Sequence, residues 1–240
     1  DMQWRENNAL YPRGIDIILA APDAVACLPR TVRIGEVAEG EAEKLYVGET
    51  LGIGDVPKVD IALVALEGTT IVARGGPNAL AVIAIAEDGG FLTVPNIYMD
   101  KIAVGPGLPD GIVDLDNEPA DNLAALADAK GTKVTDLVVC MLDRPRHAEL
   151  IAKIRETGAR IRLIQDGDVS GVIAATQPEA GVDIFLGIGG APQGVLAAAA
   201  LRGVGGQMQG RLVFRNNDQR TEAQRLGIED LERKYATEDM

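Results

Sequence analysis

The chain has 240 residues, 23 of them basic and 36 acidic, for a formal net charge of −13. That balance disfavours a general nucleic-acid or anionic-membrane surface, so any phosphate site must be local. Cys27 and Cys140 are the only cysteines, which excludes a disulfide framework and a cysteine metal knuckle and makes a reducing cytoplasm the default compartment.

A chain of this length buries a proper core, as one large domain or as two lobes, and two lobes sharing one sheet system fit best. Aromatic residues make up only 3% while Ala, Val, Ile and Leu dominate, the composition of β-branched strands covered by Ala- and Leu-rich helices. Residues 15–27 are apolar, yet Asp16, Pro22 and Asp23 interrupt them and no basic cluster precedes a long apolar run, so neither a signal core nor a membrane span is expected. The first residue, Asp1 rather than Met, suggests processing or a trimmed start.

Residues 1–30 show no clean period and read as helix followed by loop. A short strand is predicted over 31–36, an acidic turn over 38–44, and a resumed apolar run at 45–47. Residues 59–65, 70–74, 79–86 and 98–104 follow as apolar or alternating segments broken by Gly and Pro, which makes this half rich in strands. From Pro119 the pattern alternates: helix 119–129, strand 134–142, helix 145–157, strand 160–165, helix 168–176, strand 182–187, helix 191–202. Such a βαβ series implies a parallel sheet. Pro119 and Pro145 stand at first-turn positions and Asp168 can cap its helix. A last, charged and exposed helix is expected over 221–234. With no internal repeat and no flexible tether, the lobes are expected to divide near 112–118, giving a strand-rich lobe over 1–115 and a βαβ lobe over 116–240.

Two junctions carry the chemistry. Leu66-Glu67-Gly68-Thr69-Thr70 follows the apolar run 59–65, and Gly187-Ile188-Gly189-Gly190-Ala191-Pro192-Gln193-Gly194 follows 182–186. Each is expected as a loop after a buried strand, presenting amides, hydroxyls and one acidic or amide oxygen where α/β proteins bind anionic ligands. The second lacks the G-x-G-x-x-G spacing with a downstream ribose acid, which disfavours a dinucleotide site. Arg144 and Arg146 flank a helix start, where the dipole disfavours cations, and an anion site explains them better than a bland surface. Asp166-Gly167-Asp168 reads equally as a turn with a helix cap or as part of a site. His147 is the only histidine, expected on a helix surface near the arginines, and by itself forms neither a histidine metal site nor a triad.

From about Val32 onward the chain resembles the class II fructose-1,6-bisphosphatases, the bacterial type also seen as bifunctional fructose/sedoheptulose bisphosphatases. The carriers are Ile34-Gly35-Glu36, Leu45-Tyr46-Val47-Gly48-Glu49, Val59-Asp60-Ile61-Ala62, Leu66-Glu67-Gly68-Thr69-Thr70, Pro77-Asn78-Ala79-Leu80-Ala81-Val82, Tyr98-Met99-Asp100-Lys101, Arg144-Pro145-Arg146-His147, Asp166-Gly167-Asp168 and Gly187-Ile188-Gly189-Gly190-Ala191-Pro192. The resemblance implies an α/β fold, the layered α/β/α/β/α sandwich of the lithium-sensitive sugar phosphatases. It implies hydrolysis of the 1-phosphate of fructose 1,6-bisphosphate with Mg²⁺ or Mn²⁺, which activates water and neutralises charge on the phosphoryl and leaving oxygens. By resemblance Glu36, Glu67 and Thr69 belong to the catalytic centre, with Glu36, Glu67 and Gln193 toward the metal. Gly68, Thr69, Thr70, Tyr98, Arg144, Arg146, Asp166, Asp168 and Gly190 fall to the substrate, arginines gripping the second phosphate and carboxylates accepting from sugar hydroxyls.

The chain departs from the family's pattern where charge matters. The family's loop Asp and Pro are Val64 and Ala65 here, its Glu after the Gly-Ala-Pro turn is Gln193, and the stretch after Glu36 carries Val37, Ala38, Gly40 and Glu43 where the family has a Gly, two acids and a Pro. A further acid normally comes from an N-terminal helix, for which Asp23 is the candidate, and the chain ends at Met240, before the family's closing segment. A glutamine oxygen still coordinates a hard cation without contributing charge, whereas valine contributes nothing. If the missing acid supplies several kcal/mol in the transition state, the rate falls by roughly 10³ or more. Three readings follow: an impaired phosphatase with weak or absent metal binding, a non-catalytic sugar-phosphate-binding or regulatory subunit, or a phosphatase with ligands rebuilt around Glu36, Glu39, Glu41 and Glu67. The expected partners are a sugar bisphosphate and a second copy or an active homologue, in the cytoplasm, with neither nucleic acid nor membrane.

Overall fold

The computed structural model describes residues 30–35, 46–51 and 58–240. The chain divides into two compact units, Asp1–Thr93 and Val94–Met240. The division falls ahead of the expected 112–118, because the strand over 98–104 is hydrogen-bonded into the sheet of the second unit.

The first unit holds a four-stranded sheet in the order β2-β1-β3-β4, formed by β1 (Arg30–Ile34), β2 (Thr50–Leu51), β3 (Val59–Glu67) and β4 (Leu80–Glu87). Strand β1 runs parallel to β3 and antiparallel to β2, and β3 runs antiparallel to β4. Val32, Ile61 and Leu63 form its apolar cluster, with Ala65 packed against them. Buried Asp60 is satisfied on both oxygens, by Arg33 Nε at 2.8 Å and by the Gly89 N–H at 2.7 Å. The predicted loop after residue 65 is absent: β3 continues through Glu67, Gly68 takes the left-handed conformation at φ 103°, and Thr69–Ala73 forms the one-turn helix α1. The segment 70–74, read as strand-like, is therefore helical, since the left-handed glycine turns the chain out of the sheet before the apolar residues Ile71 and Val72.

The second unit holds a six-stranded sheet in the order β10-β9-β5-β8-β6-β7. Its strands are β5 (Tyr98–Val104), β6 (Val138–Leu142), β7 (Arg160–Ile164), β8 (Ile184–Gly190), β9 (Gln207–Val213) and β10 (Lys234–Ala236). The helices are α2 (Pro119–Lys130), α3 (Ala148–Glu156), α4 (Asp168–Ala174), α5 (Ala191–Val204) and α6 (Asn217–Arg225). Strands β6, β7 and β8 are parallel as the βαβ pattern implies, but β5 lies antiparallel between β8 and β9, so the sheet is mixed. The fold is α/β, with mixed sheets and helices.

One apolar cluster joins Leu123 and Leu126 of α2 and Ile154 of α3 to Ile102, Val139, Met141 and Ile184 of the sheet. Each such side chain contributes about 1.5–3 kcal/mol on leaving water. Helix α2 starts with Pro119 and stops at left-handed Gly131, and α5 starts behind Gly190 with Pro192 in its first turn. The predicted helix over 145–157 divides into a 3₁₀ turn, Pro145–His147, and α3. The predicted last helix over 221–234 is displaced: Asn216 Oδ1 accepts from the Gln219 N–H at 3.0 Å and starts α6 earlier, and Lys234 belongs to β10. Strand β8 runs three residues beyond its expected end at 187, through Gly190, because the glycines stay in register with β5 from Tyr98↔Gly190 onward.

Candidate functional site

Strand direction brings residues far apart in sequence to one edge of the second sheet. Parallel β6, β7 and β8 all end there, releasing Arg144 and Arg146, then Asp166 and Asp168, then Gly190 and Gln193. Antiparallel β5 starts at that edge, so Tyr98 pairs with Gly190 on one side and Val213 on the other. Strand β9 ends there too and delivers Arg215. Carboxyl ends of strands in α/β sheets are where ligands bind.

The Tyr98 ring carries two guanidiniums, with Arg146 Cζ at 4.8 Å and Arg215 Cζ at 4.2 Å from its centroid. Arg146 is held from below, its Nε and Nη2 donating to Ile188 O at 3.0 and 2.6 Å. Burial lowers the proton affinity of Arg146, and the charges of Arg144 and Arg215 lower it further. Arg144 pairs with Asp166. His147 is not on the surface as expected but 1% exposed, and both ring nitrogens are used. Nδ1–H donates to Leu142 O at 2.7 Å and Nε2 accepts from the Ile188 N–H at 2.9 Å, which fixes a neutral tautomer. Desolvation pushes its pKa below the ordinary imidazole value. His147 thus holds the N–H of the same residue, Ile188, whose carbonyl holds Arg146.

On the other face of β5, Lys101 is 1% exposed and forms an ion pair with Asp168 at the start of α4. Its Nζ also donates to Gly190 O at 3.0 Å. The glycines of β8 are explained by these side chains: a Cβ at Gly189 would strike Asp168 and Lys101, one at Gly190 would strike the Gln193 amide, and one at Gly187, at φ +134°, would lie 3.1 Å from the His147 ring. The close approach that glycine permits is taken up by the protein's own polar groups. A cavity of about 380 Å³ lies on the α2–α3 face, where Asp100, Asp116, Glu149, Arg146 and His147 contribute to its wall. Burial raises the Asp100 carboxyl above its ordinary range.

In the first unit, Glu67 closes β3 and is 7% exposed, with Gly68 buried, Thr70 half-buried and Thr69 exposed beside it. Val64 is 2% exposed and stands opposite Val82 in the β3–β4 ladder. Glu36 and the acids around it, like Asp23, lie outside the described residues. Among the described residues no three His, Cys, Asp or Glu side chains converge as cation ligands. Those residues alone do not fit a divalent-cation site, because the strand end supplies a buried carboxylate at Glu67 and an apolar side chain at Val64.

A family model described as bacterial fructose-1,6-bisphosphatase, glpX-encoded, matches residues 25–240. The chain belongs to this family. Relatives include Fructose-1,6-bisphosphatase 1 class 2 of Escherichia coli (strain K12) and Fructose-1,6-bisphosphatase class 2 of Escherichia coli O6:H1 and of Shigella flexneri. Each is 43% identical over 205 residues, which is 85% of this chain and 61% of the relative. The chain therefore spans about three fifths of the length of these curated relatives. A second model, bacterial phosphonate metabolism protein (PhnH), matches residues 2–35.

Of the residues singled out for substrate in this glpX-encoded family, Tyr98, Arg144, Arg146, Asp166, Asp168 and Gly190 share the sheet edge, with Gln193 folded over Gly190. Glu67, Gly68, Thr69 and Thr70 lie together in the other unit. Sequence reasoning assigned no role to Lys101 or Arg215, and it set His147 near the arginines but on the surface rather than buried. A lysine in the middle of the apolar strand 98–104 was the available signal, since a buried cation demands a buried partner. Nothing local marked Arg215.

Proposed function

We propose that this chain binds a sugar bisphosphate at the second sheet's edge and is impaired in hydrolysing it. The parent reaction is fructose 1,6-bisphosphate plus water to fructose 6-phosphate and phosphate, the reaction that the relatives' names point to. The observation that carries the reading is the contrast between two ends of strands. Tyr98, Arg146 and Arg215 gather cationic donors at one edge, while Val64 puts a buried apolar side chain where the family's pattern has an acid. Arginines at that edge would hold the ligand's second phosphate by charge-assisted hydrogen bonds. Asp166 and Asp168, each already paired with a cation, would accept from sugar hydroxyls only through their remaining lone pairs. By the family's pattern, Glu67, Thr69 and Thr70 of the first unit would serve the scissile phosphate, and Glu67 the cation. A bound Mg²⁺ or Mn²⁺ would activate water and neutralise phosphoryl charge. The same contrast supports a second reading, a non-catalytic sugar-phosphate-binding or regulatory subunit pairing with an active homologue in the cytoplasm.

Phosphate release from fructose 1,6-bisphosphate in Mn²⁺, measured for the parent chain and for Val64→Asp/Ala65→Pro/Gln193→Glu, tests the impaired-enzyme reading. The triple variant is expected to release phosphate faster than the parent. A parent chain with full turnover, or with micromolar Mg²⁺ affinity by calorimetry, would show that ligands have been rebuilt. A parent and a triple variant that bind the bisphosphate without any release would favour the non-catalytic subunit.

A further inference from the structure

The stack on Tyr98 gathers two guanidiniums on one ring. The chain carries 36 acidic residues against 23 basic ones, yet among the described residues neither Arg146 nor Arg215 has a carboxylate partner. Arg144, Arg146 and Arg215 stand close enough for the outer two to depress the proton affinity of Arg146. Asp166 pairs with Arg144 and the charge of Asp168 offsets part of the effect on Arg146, and an anion at this edge would relieve the repulsion that remains.

Geometry separates the roles of the two stacked arginines. Arg146 spends Nε and Nη2 on Ile188 O, so its guanidinium edge is anchored to the protein. Arg215 spends none of its side-chain donors on a hydrogen bond among the described residues, and the residue is exposed. Its backbone is nevertheless placed: the Arg215 N–H donates to Gln219 Oε1 at 2.8 Å, and Asn216 caps α6 through the Gln219 N–H at 3.0 Å. Each Cζ lies within 5 Å of the same ring centroid, so one phosphate at the edge of the ring is within reach of both.

We propose that Arg215 is a phosphate-gripping residue of this site, completing with Arg146 a two-guanidinium clamp for which the Tyr98 ring supplies the packing surface. The proposal rests on the sugar-bisphosphate reading above and adds to it the residue that selects a ligand carrying a phosphate at this edge. Arg146 fixes where the phosphate sits, and Arg215, with its donors uncommitted, closes on it. A rival role for Arg215, a rivet that merely packs Tyr98, differs in what ligands it would affect.

The test uses the full chain labelled with ¹⁵N-arginine. Nε–Hε resonances are assigned with Arg146→Lys and Arg215→Lys, and inorganic phosphate is titrated in. Both resonances are expected to shift together with one saturating curve. Calorimetry then compares fructose 1,6-bisphosphate binding by the parent and by Arg215→Ala, for which a loss of roughly ten- to a hundredfold is expected, the value of charged hydrogen bonds removed. Arg215→Lys should recover only part of it, since the planar fork is lost. Because Arg215 is exposed, the urea midpoint of the alanine variant should match the parent's. An Arg215 resonance unmoved by phosphate, or a bisphosphate affinity unchanged in Arg215→Ala, overturns the clamp. So does a shifted urea midpoint that accounts for the whole affinity loss, which identifies the rivet. A chain whose Arg215 responds to phosphate but which binds no sugar bisphosphate would sink the functional reading and leave the anion clamp standing.

Discussion

Replacing Lys101 by Met leaves Asp168 buried with no counterion. Lys101 is 1% exposed and the Asp168 side chain 6%, so water cannot take the place of the ammonium without opening the packing between β5, β8 and α4. Removing one partner of a buried pair costs about 3–5 kcal/mol, and freeing Gly190 O from its 3.0 Å bond adds about 1 kcal/mol. For a chain of this size that corresponds to a fall in Tm of roughly 8–24 °C. Lys101→Met/Asp168→Leu removes both charges and should recover to within about 2 kcal/mol of the parent, because two apolar side chains of similar volume need no desolvation. Urea denaturation followed by far-ultraviolet circular dichroism, run on the parent, both single variants and the double, gives the coupling energy directly. A loss below about 1 kcal/mol in Lys101→Met, or a double variant as unstable as that single one, would refute the argument that this ion pair holds the sheet edge together.

Three further outcomes are expected. His147 is buried neutral with its pKa depressed, so the unfolded chain binds more protons than the folded one below the ordinary value of about 6.5. Its contribution to stability is complete above that pH and fades as pH falls through the interval toward the folded pKa. Arg146 deepens the depression and Asp100 opposes it. Urea midpoints between pH 7.5 and 5.5 should therefore decline more steeply in the parent than in His147→Gln; equal slopes would contradict this. Val64→Asp alone should destabilise the chain by several kcal/mol, since it puts a carboxylate at a 2% exposed position opposite Val82, and a melting temperature unchanged without added cation would show that the strand end is open to water. Gly187→Ala, at φ +134° with a Cβ position 3.1 Å from the His147 ring, should lower the melting temperature by at least several degrees, and a neutral result would mean that the ring moves freely.

Much of the second unit could be read from local pattern. Pro119 at a helix start, the apolar runs at 138–142 and 184–186, and the glycines that stop α2 and α5 are short-range signals with short-range causes. The ordered blocks of residues likewise pointed to the sugar-bisphosphatase family and to Arg146, Asp168 and Gly190 as a set. Pairing was different. That β5 runs antiparallel between β8 and β9 is decided by which strands neighbour one another, and no window of sequence records it. That choice carries Tyr98 to the same edge as Arg215, 117 positions later in the chain, and turns Lys101 inward onto Asp168. The glycines of 187–190 show the same division. Their number was visible at once, but whether they clear space for a ligand or for the protein's own His147, Lys101 and Gln193 depends on what packs against each Cα, and only the tertiary structure decides that.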